Sequence, residues 1–254
     1  MRLALISDIH GNTAALDAVI ADMNGLHPDV VICLGDIAAG GPDPGGAIDR
    51  VAEVATFAVQ GNTDAGLVDM PAWWRDPGSI GLPDDAIPGM EVTVWTAERV
   101  TEEHRGFLAD LPLTVEVDLG EVGDLLAFHG SPRSFDELVT ATTAPDALDT
   151  MFAGTSASVM AGGHSHVPLL RRHRGITRVN PGSVGMPFGR YGYAGGAPVL
   201  AHAEYAVLSA AGSLVDVELR QVPVDRETLE ASVGRSGMPR ADWWLGLREG
   251  GDSV

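Results

Sequence analysis

The 254-residue chain carries 35 acidic against 16 basic residues, a formal charge of −19, and every basic residue is Arg. A surface this acidic repels phosphate backbones and anionic lipid, which disfavours general nucleic-acid binding and membrane docking. Hydrophobic residues make up 45% and charged residues 20%, the balance of a chain with a real core and not of a disordered one. The single cysteine, Cys33, excludes a disulfide-built scaffold; it lies in an apolar run and reads as inert packing. The N-terminal apolar run stops at Asp8, too short for a secretory core, and no stretch approaches the ~20 apolar residues of a membrane span. The expectation is a soluble, cytoplasmic protein.

The predicted elements begin as strand–helix units. Leu3 to Ser7 is a buried strand, and Asn12 caps a helix with Ala15, Leu16, Val19, Ile20 and Met23 at helical spacing. Val30 to Leu34 is a second strand, Gly46 to Ala55 a helix, and Thr56 to Val59 a third strand, a rhythm that favours a mainly parallel sheet. Residues 66–90 break it with repeated Gly and Pro around Trp73-Trp74, which reads as a lid-like loop. A helix over Glu102 to Ala109 follows. Strands are then expected at Leu113 to Val117, Asp124 to Phe128, Ser158 to Ala161, Ile176 to Val179, Glu204 to Ser209 and Leu214 to Val222, with a helix at Ala147 to Phe152. The whole reads as one domain over 1–254, with a loop-rich insertion at about 66–100 and a poorly patterned tail from about 225.

Five short motifs each follow an apolar strand: Asp8-Ile9-His10, Gly35-Asp36, Gly61-Asn62-Thr63-Asp64, His129-Gly130 and Gly163-His164-Ser165-His166. Strand C-termini form the ligand crevice of parallel α/β sheets, so these motifs bring possible metal ligands to one edge. If the chain is extended there, ligands at i and i+2 share a side, which suits Asp8 with His10 and His164 with His166. Carboxylates, imidazoles and one amide suit Mn, Fe, Zn, Ni or Co better than Ca or Mg, and with Cys33 outside the set a thiolate zinc site is not indicated.

In these five blocks, in this order, the sequence resembles the calcineurin-like metallophosphoesterase superfamily. It is similar in particular to small bacterial phosphodiesterase-like members, including a diadenosine tetraphosphatase-related group, which share the Asn180-Pro181-Gly182-Ser183 segment. The resemblance covers about residues 1–220. It implies a four-layer α-β-β-α sandwich of two mixed β-sheets flanked by helices. It also implies two divalent metal ions, Mn first, with Asp8, His10 and His166 on one, Asn62, His129 and His164 on the other, and Asp36 bridging. The activity implied is a phosphoesterase, a phosphodiesterase before a phosphatase, in which a hydroxide between the metals attacks phosphorus in line. Phosphomonoesterase, protein-phosphatase-like and dinucleoside polyphosphate hydrolase activities are the alternatives, and a non-catalytic interaction protein on the same fold is the alternative of another class. The partner expected is a small phosphoester or nucleotide-like substrate, with no membrane and no nucleic acid.

Thr63 departs from the family, which often has His there to protonate the leaving group; Thr has no comparable acidity. Asp64 is expected at the catalytic edge, orienting its neighbours by hydrogen bonds. Thr63, Arg171 and Ser183 are candidate substrate contacts. The run Arg171-Arg172-His173-Arg174 reads either as a distal-phosphate contact or as a solvated hairpin turn. Trp73-Trp74 reads as a stacking platform or as a lid packed on its own body. His27, His104, His173 and His202 are assigned to the surface or to ordinary packing, and Trp243-Trp244 to the core or interface of the tail.

Overall fold

Along the first strand, β1 (Arg2–Ile6), Leu3 and Leu5 point one way and Ala4 and Ile6 the other, and all four are fully buried. A strand buried on both faces needs cover on both faces, and this chain supplies a second sheet on one side and helices on the other. The computed structural model describes residues 1–76, 81, 86–189 and 199–248.

β1 pairs in parallel with β2 (Val30–Cys33), which pairs in parallel with β3 (Phe57–Ala58). The second sheet takes β4 (Thr114–Asp118), β5 (Asp124–Phe128), β6 (Val159–Ala161), β7 (Leu169–His173) and β8 (Ile176–Asn180) in the order β4-β5-β6-β8-β7. The chain then returns to the first sheet with β9 (His202–Ala211), antiparallel to β1, and β10 (Leu214–Pro223), giving β10-β9-β1-β2-β3. Leu3, Leu5, Ile32 and Leu34 meet Leu125, Ala127, Val159 and Val179 between the sheets.

On the outer face of the first sheet, Ala4 and Ile6 pack under α1 (Thr13–Asn24) and α2 (Pro44–Val54). Asn12 caps α1 by accepting from the Ala15 amide at 3.2 Å, and Asp43 caps α2 by accepting from Gly46 at 3.0 Å. On the outer face of the second sheet, α7 (Pro145–Met151) brings Leu148 against Phe128 and Met160. Two mixed five-stranded sheets flanked by helices are the α/β architecture expected. Among the described residues no helix is long and apolar enough to cross a membrane.

Three regions differ from the sequence reading. The expected loop at 66–90 is largely helical where described: α3 (Asn62–Val68), α4 (Ala72–Arg75) and the start of α5 (Ile87–Ala97), which α6 (Glu102–Ala109) follows. Pro88 sits in the first turn of α5, where a missing N–H costs nothing, so its breaker signal misleads. The rest of that loop, 77–80 and 82–85, lies outside the described residues, and with it the lid reading. The basic run is not a turn: Arg171, Arg172 and His173 belong to β7, and the turn to β8 comes at Arg174-Gly175. The tail is ordered as α8 (Arg226–Ser236) and α9 (Ala241–Gly246). Its end signals were present in the sequence, with Asp225 accepting from the Thr228 amide at 2.8 Å and Gly237 closing α8 in left-handed backbone.

Candidate metal centre

All five motifs leave the C-terminal ends of β1, β2, β3, β5 and β6, so one edge of the sandwich collects them. The glycines set how close they come. A Cβ on Gly61 would lie 2.2 Å from Asp36 Oδ1, and one on Gly163 would lie 1.9 Å from Ser7 Oγ and 2.5 Å from Asp8 Oδ2. Both positions therefore exclude any side chain.

The ligand-bearing segments are not extended. Asp8, His10, Asp36, His164 and His166 all have positive φ, between 50° and 69°. They make up most of the non-glycine residues in that region of backbone among the described residues. Asp and His tolerate left-handed backbone better than most residues, at a cost of order 1 kcal/mol or more each. Side chains at i and i+2 converge here because the chain coils tightly, not because it alternates as a strand.

Asp8, His10 and His166 offer ligand atoms to a common point, and so do Asp8, Asp36 and His129. Asp36 Oδ2 lies 3.7 Å from His10 Nε2 and 3.5 Å from His129 Nε2. Asp8 Oδ1 lies 3.3 Å from His166 Nε2, is buried, and has no hydrogen-bond partner. Each imidazole is held by its far nitrogen. Nδ1 of His10 donates to the Ala39 carbonyl at 2.7 Å, that of His129 to Leu34 at 2.7 Å, and that of His166 to Met186 at 2.8 Å. A neutral imidazole that donates from Nδ1 presents a lone pair at Nε2. His10 and His166 then face each other, lone pair to lone pair, at 3.1 Å, whereas His129, whose charged form Asp36 and Asp8 favour, turns Nε2 towards Asn62 Oδ1 at 3.0 Å. Facing lone pairs on His10 and His166, beside the orphaned Asp8 oxygen, favour a cation between them, and the residues present fit divalent metal.

The titration behaviour has the same origin. Burial opposes charge on His129, yet Asp36 and then Asp8 outweigh it and hold its pKa up at about 10. Burial also opposes ionisation of Asp36, but His129, His10 and the Thr63 amide hold it far below the usual carboxylate range. His166 is pushed down to about 4, chiefly by burial and with His10 adding to it, against the pull of Asp8. His164 is lowered by burial and then by His129.

Asn62 stands against His129, and the His164 ring lies 5.0 Å from that of His129. Asp64 is fully buried: its two oxygens accept from the amides of Asp36 (2.8 Å), Gly61 (3.0 Å) and Ile37 (2.9 Å). Burial and then Asp36 raise its pKa to about 6 despite the Ile37 and Gly61 amides. Thr63 gives its amide to Asp36 Oδ1 at 2.9 Å and, with Asn62, borders a cleft of about 470 Å³ shared with Trp73, Phe135, Asp69 and Asp136. Trp73 is 38% exposed at that cleft, whereas Trp74 is buried against Gly66. Ser183 is engaged with backbone, its Oγ donating to the Asp8 carbonyl at 2.6 Å and accepting from Met186 N at 2.8 Å. Arg171 is likewise occupied, donating to the carbonyls of Thr140, Ala141 and Thr143 at 2.8 to 3.3 Å. The geometry brings the seven metal-ligand candidates to one edge, engages Ser183 with the backbone of Asp8 there, and engages Arg171 with carbonyls of residues 140–143.

Sequence reasoning missed the carbonyls of Ala39, Leu34 and Met186, because any residue supplies a carbonyl. It also missed the tail's hold on the same loops. Trp244 donates from Nε1 to the Gly40 carbonyl at 2.8 Å, next to Ala39, and Arg248 donates to the Gly185 carbonyl at 2.8 Å, next to Met186.

Residues 1–198 match the calcineurin-like phosphoesterase superfamily domain. The chain is 28% identical over 203 residues to the uncharacterized protein MJ0912 of Methanocaldococcus jannaschii, covering 73% of this chain and 76% of that protein. A metallophosphoesterase from Sphaerobacter thermophilus is similar in structure with a TM-score of 0.74 and 25% identity, covering 99% of this chain and 100% of that one. The hypothetical protein PH1004 from Pyrococcus horikoshii shares the fold, with a TM-score of 0.76 at 20% identity, covering 97% of this chain and 96% of that one. Five ligand motifs gathered at one sheet edge, and a domain match over most of the length, lead to one conclusion: the chain belongs to the calcineurin-like phosphoesterase superfamily.

Proposed function

We propose that the protein is a dinuclear, metal-dependent phosphoesterase of the cytoplasm that acts on small or nucleotide-like phosphodiesters. The observation that carries this reading is the position of Asp36 Oδ2, within 3.7 Å of His10 Nε2 and 3.5 Å of His129 Nε2, one imidazole from each ligand set. Two divalent cations sharing such a site would repel one another strongly, so a shared carboxylate is what a pair would need. Asp8, His10 and His166 would hold one ion, and Asn62, His129 and His164 the other, with Asp36 between. When bound, such ions supply a nucleophile at neutral pH by lowering the pKa of water, and charge stabilisation at phosphorus. Mn²⁺ is the first to try, and Fe, Zn, Ni or Co also suit the donors.

The protein's own part is to fix this geometry and to shape the approach. Asp64 holds the Asp36 loop through the amides of Asp36 and Ile37 and its own helix start through that of Gly61, and the carbonyls of Ala39, Leu34 and Met186 hold the far nitrogens of the imidazoles. The cleft beside Asn62 and Thr63 leaves room for a second ester substituent, which supports diesters over monoesters. Asp69 and Asp136 border it and no Arg does among the described residues, which opposes the distal phosphates of a dinucleoside polyphosphate. Trp73 and Phe135 offer a flat substituent an apolar wall. Thr63 has no proton to give near neutral pH, so esters with good leaving groups should turn over best. The complete ligand set argues against a purely non-catalytic role.

The test is hydrolysis of bis- and mono-p-nitrophenyl phosphate by metal-stripped protein reconstituted with Mn²⁺. Diester cleavage should require the metal and fall by roughly a thousandfold in Asp36→Asn, about 4 kcal/mol of transition-state stabilisation. A monoester preference would move the assignment to a phosphatase, and undiminished activity in Asp36→Asn would refute the mechanism.

A further inference from the structure

Between α8, α9, the Asn12 end of α1 and the 183–186 turn lies a second cavity, of about 620 Å³, within the usual range of small-molecule sites. Its walls are aliphatic, with Val184, Leu200, Val224, Leu229 and Leu245, and no Phe, Tyr or Trp ring lines it among the described residues. Arg248 closes one side and is 7% exposed. Its guanidinium stacks at 3.6 Å on Trp244 and donates to the carbonyls of Trp244 (2.9 Å) and Gly185 (2.8 Å). No carboxylate lies within ion-pair distance of it among the described residues. The other basic groups at this cavity already have acidic partners: His202 meets Glu204 at 3.2 Å and Arg226 meets Glu230 at 2.6 Å.

A buried cation without a counter-charge is costly, and carbonyl dipoles compensate it only in part. Burial pulls the Arg248 pKa down to about 9, which still leaves it charged at neutral pH. Five N–H groups with two placed on carbonyls leave donors for an anion. A guanidinium with no carboxylate partner among the described residues matches a single negative charge, and the planar fork matches a carboxylate. Aliphatic walls match a flexible chain and give a nucleobase nothing to stack on.

We infer that this cavity binds a small aliphatic carboxylate, its head on Arg248 and its chain along Val184, Leu200, Val224, Leu229 and Leu245, and that the ligand acts on the metal centre through the 183–186 turn. That turn is the cavity floor. The Gly185 amide donates to the Asp8 carbonyl at 3.0 Å, its carbonyl accepts from Asn12 Nδ2 at 3.1 Å as well as from Arg248, and the next residue, Met186, holds His166. An anion that draws the guanidinium towards itself changes the hold on Gly185, one residue from the carbonyl that orients an imidazole. The binding step stands apart from the catalytic reading; the action on the metal centre rests on the metal-site part of it.

The experiment is calorimetric titration of the full chain with octanoate, beside octanol and octyl phosphate, followed by Mn²⁺ titration with and without octanoate. Octanoate should bind, octanol should be weaker by about tenfold or more, and Arg248→Met should lose a similar factor. Because Arg248→Met removes a stacked side chain and can unfold the tail, Val224→Phe serves as a second variant that fills the cavity and keeps the arginine; it should abolish octanoate binding with the helices intact by circular dichroism. Mn²⁺ affinity should shift about fivefold or more with octanoate. Absence of octanoate binding at millimolar concentration, or octanol binding as tightly, overturns the site. Preference for octyl phosphate overturns the carboxylate head. Octanoate binding with unchanged Mn²⁺ affinity overturns the action on the metal centre.

Discussion

Asp8, His10, Asp36, His164 and His166 hold left-handed backbone, whereas between Asp225 and Arg248 only Gly237 and Arg240 do. The metal loops are short and strained at their ligand residues; the tail is mostly helical, with one non-glycine residue, Arg240, at positive φ. The two regions nonetheless meet, since Trp244 binds the Gly40 carbonyl and Arg248 the Gly185 carbonyl. Each contact lies one residue from a carbonyl that orients a metal-facing imidazole. The comparison teaches that the strain of the metal loops is contained partly from outside the conspicuous motifs. The insertion shares that work, because Val92 and Trp95 of α5 pack with Leu229, Val233 and Trp244 in a satellite core beside α1.

The largest expected effect tests that link. Trp244→Ala removes a fully buried indole and should destabilise the protein by about 3–5 kcal/mol, roughly 10 °C in Tm, with weaker Mn²⁺ binding. Trp244→Phe keeps most of the packing and loses the bond to Gly40, about 1 kcal/mol. If neither variant changes Mn²⁺ affinity by calorimetry, the tail is only a cover. Next comes metal removal. Ligand binding to the folded state stabilises by about 4 kcal/mol at a thousandfold excess over Kd, so chelation should lower Tm. By hydrogen exchange the amides of 7–10, 35–41 and 163–166 should deprotect first, and those of α8 little. Uniform deprotection would erase the distinction between strained loops and relaxed tail. The smallest effect lies in the cleft. Thr63→His should raise turnover of diesters with poor leaving groups by up to about a hundredfold and leave p-nitrophenyl esters nearly unchanged, in steady-state kinetics. Equal effects on both would mean that leaving-group protonation is not what Thr63 lacks.

Much of the first region was legible. Runs such as Leu3 to Ile6 and Leu125 to Phe128 announce strands buried on both faces, and each is followed by Asp, His or Asn beside Gly. Chemistry of that kind needs specific side chains, so it leaves marks in the sequence. The strand β7 was not legible, because Arg171, Arg172 and His173 carry the charge of a solvated turn, while Arg171 donates to carbonyls of residues 140–143 and His173 meets Asp149. Nor was α5, since Pro88 and Gly89 signal a loop and only packing against the tail makes the helix worthwhile. The tail carried its caps openly in Asp225 and Gly237 but had too few apolar positions to show a face.

By itself the sequence determined the positions of every strand but β7, the order of the five motifs and the donor types at the metal centre. These depend on local patterning and on side chains that nothing else can replace. Tertiary structure alone decided the left-handed backbone of the ligands, the carbonyls that lock the imidazoles, the engagement of Ser183 and Arg171 by backbone, and the cavity closed by Arg248. Those features depend on which chain segments meet. A carbonyl, a buried charge or a void has no residue-type signature until distant parts of the chain are brought together.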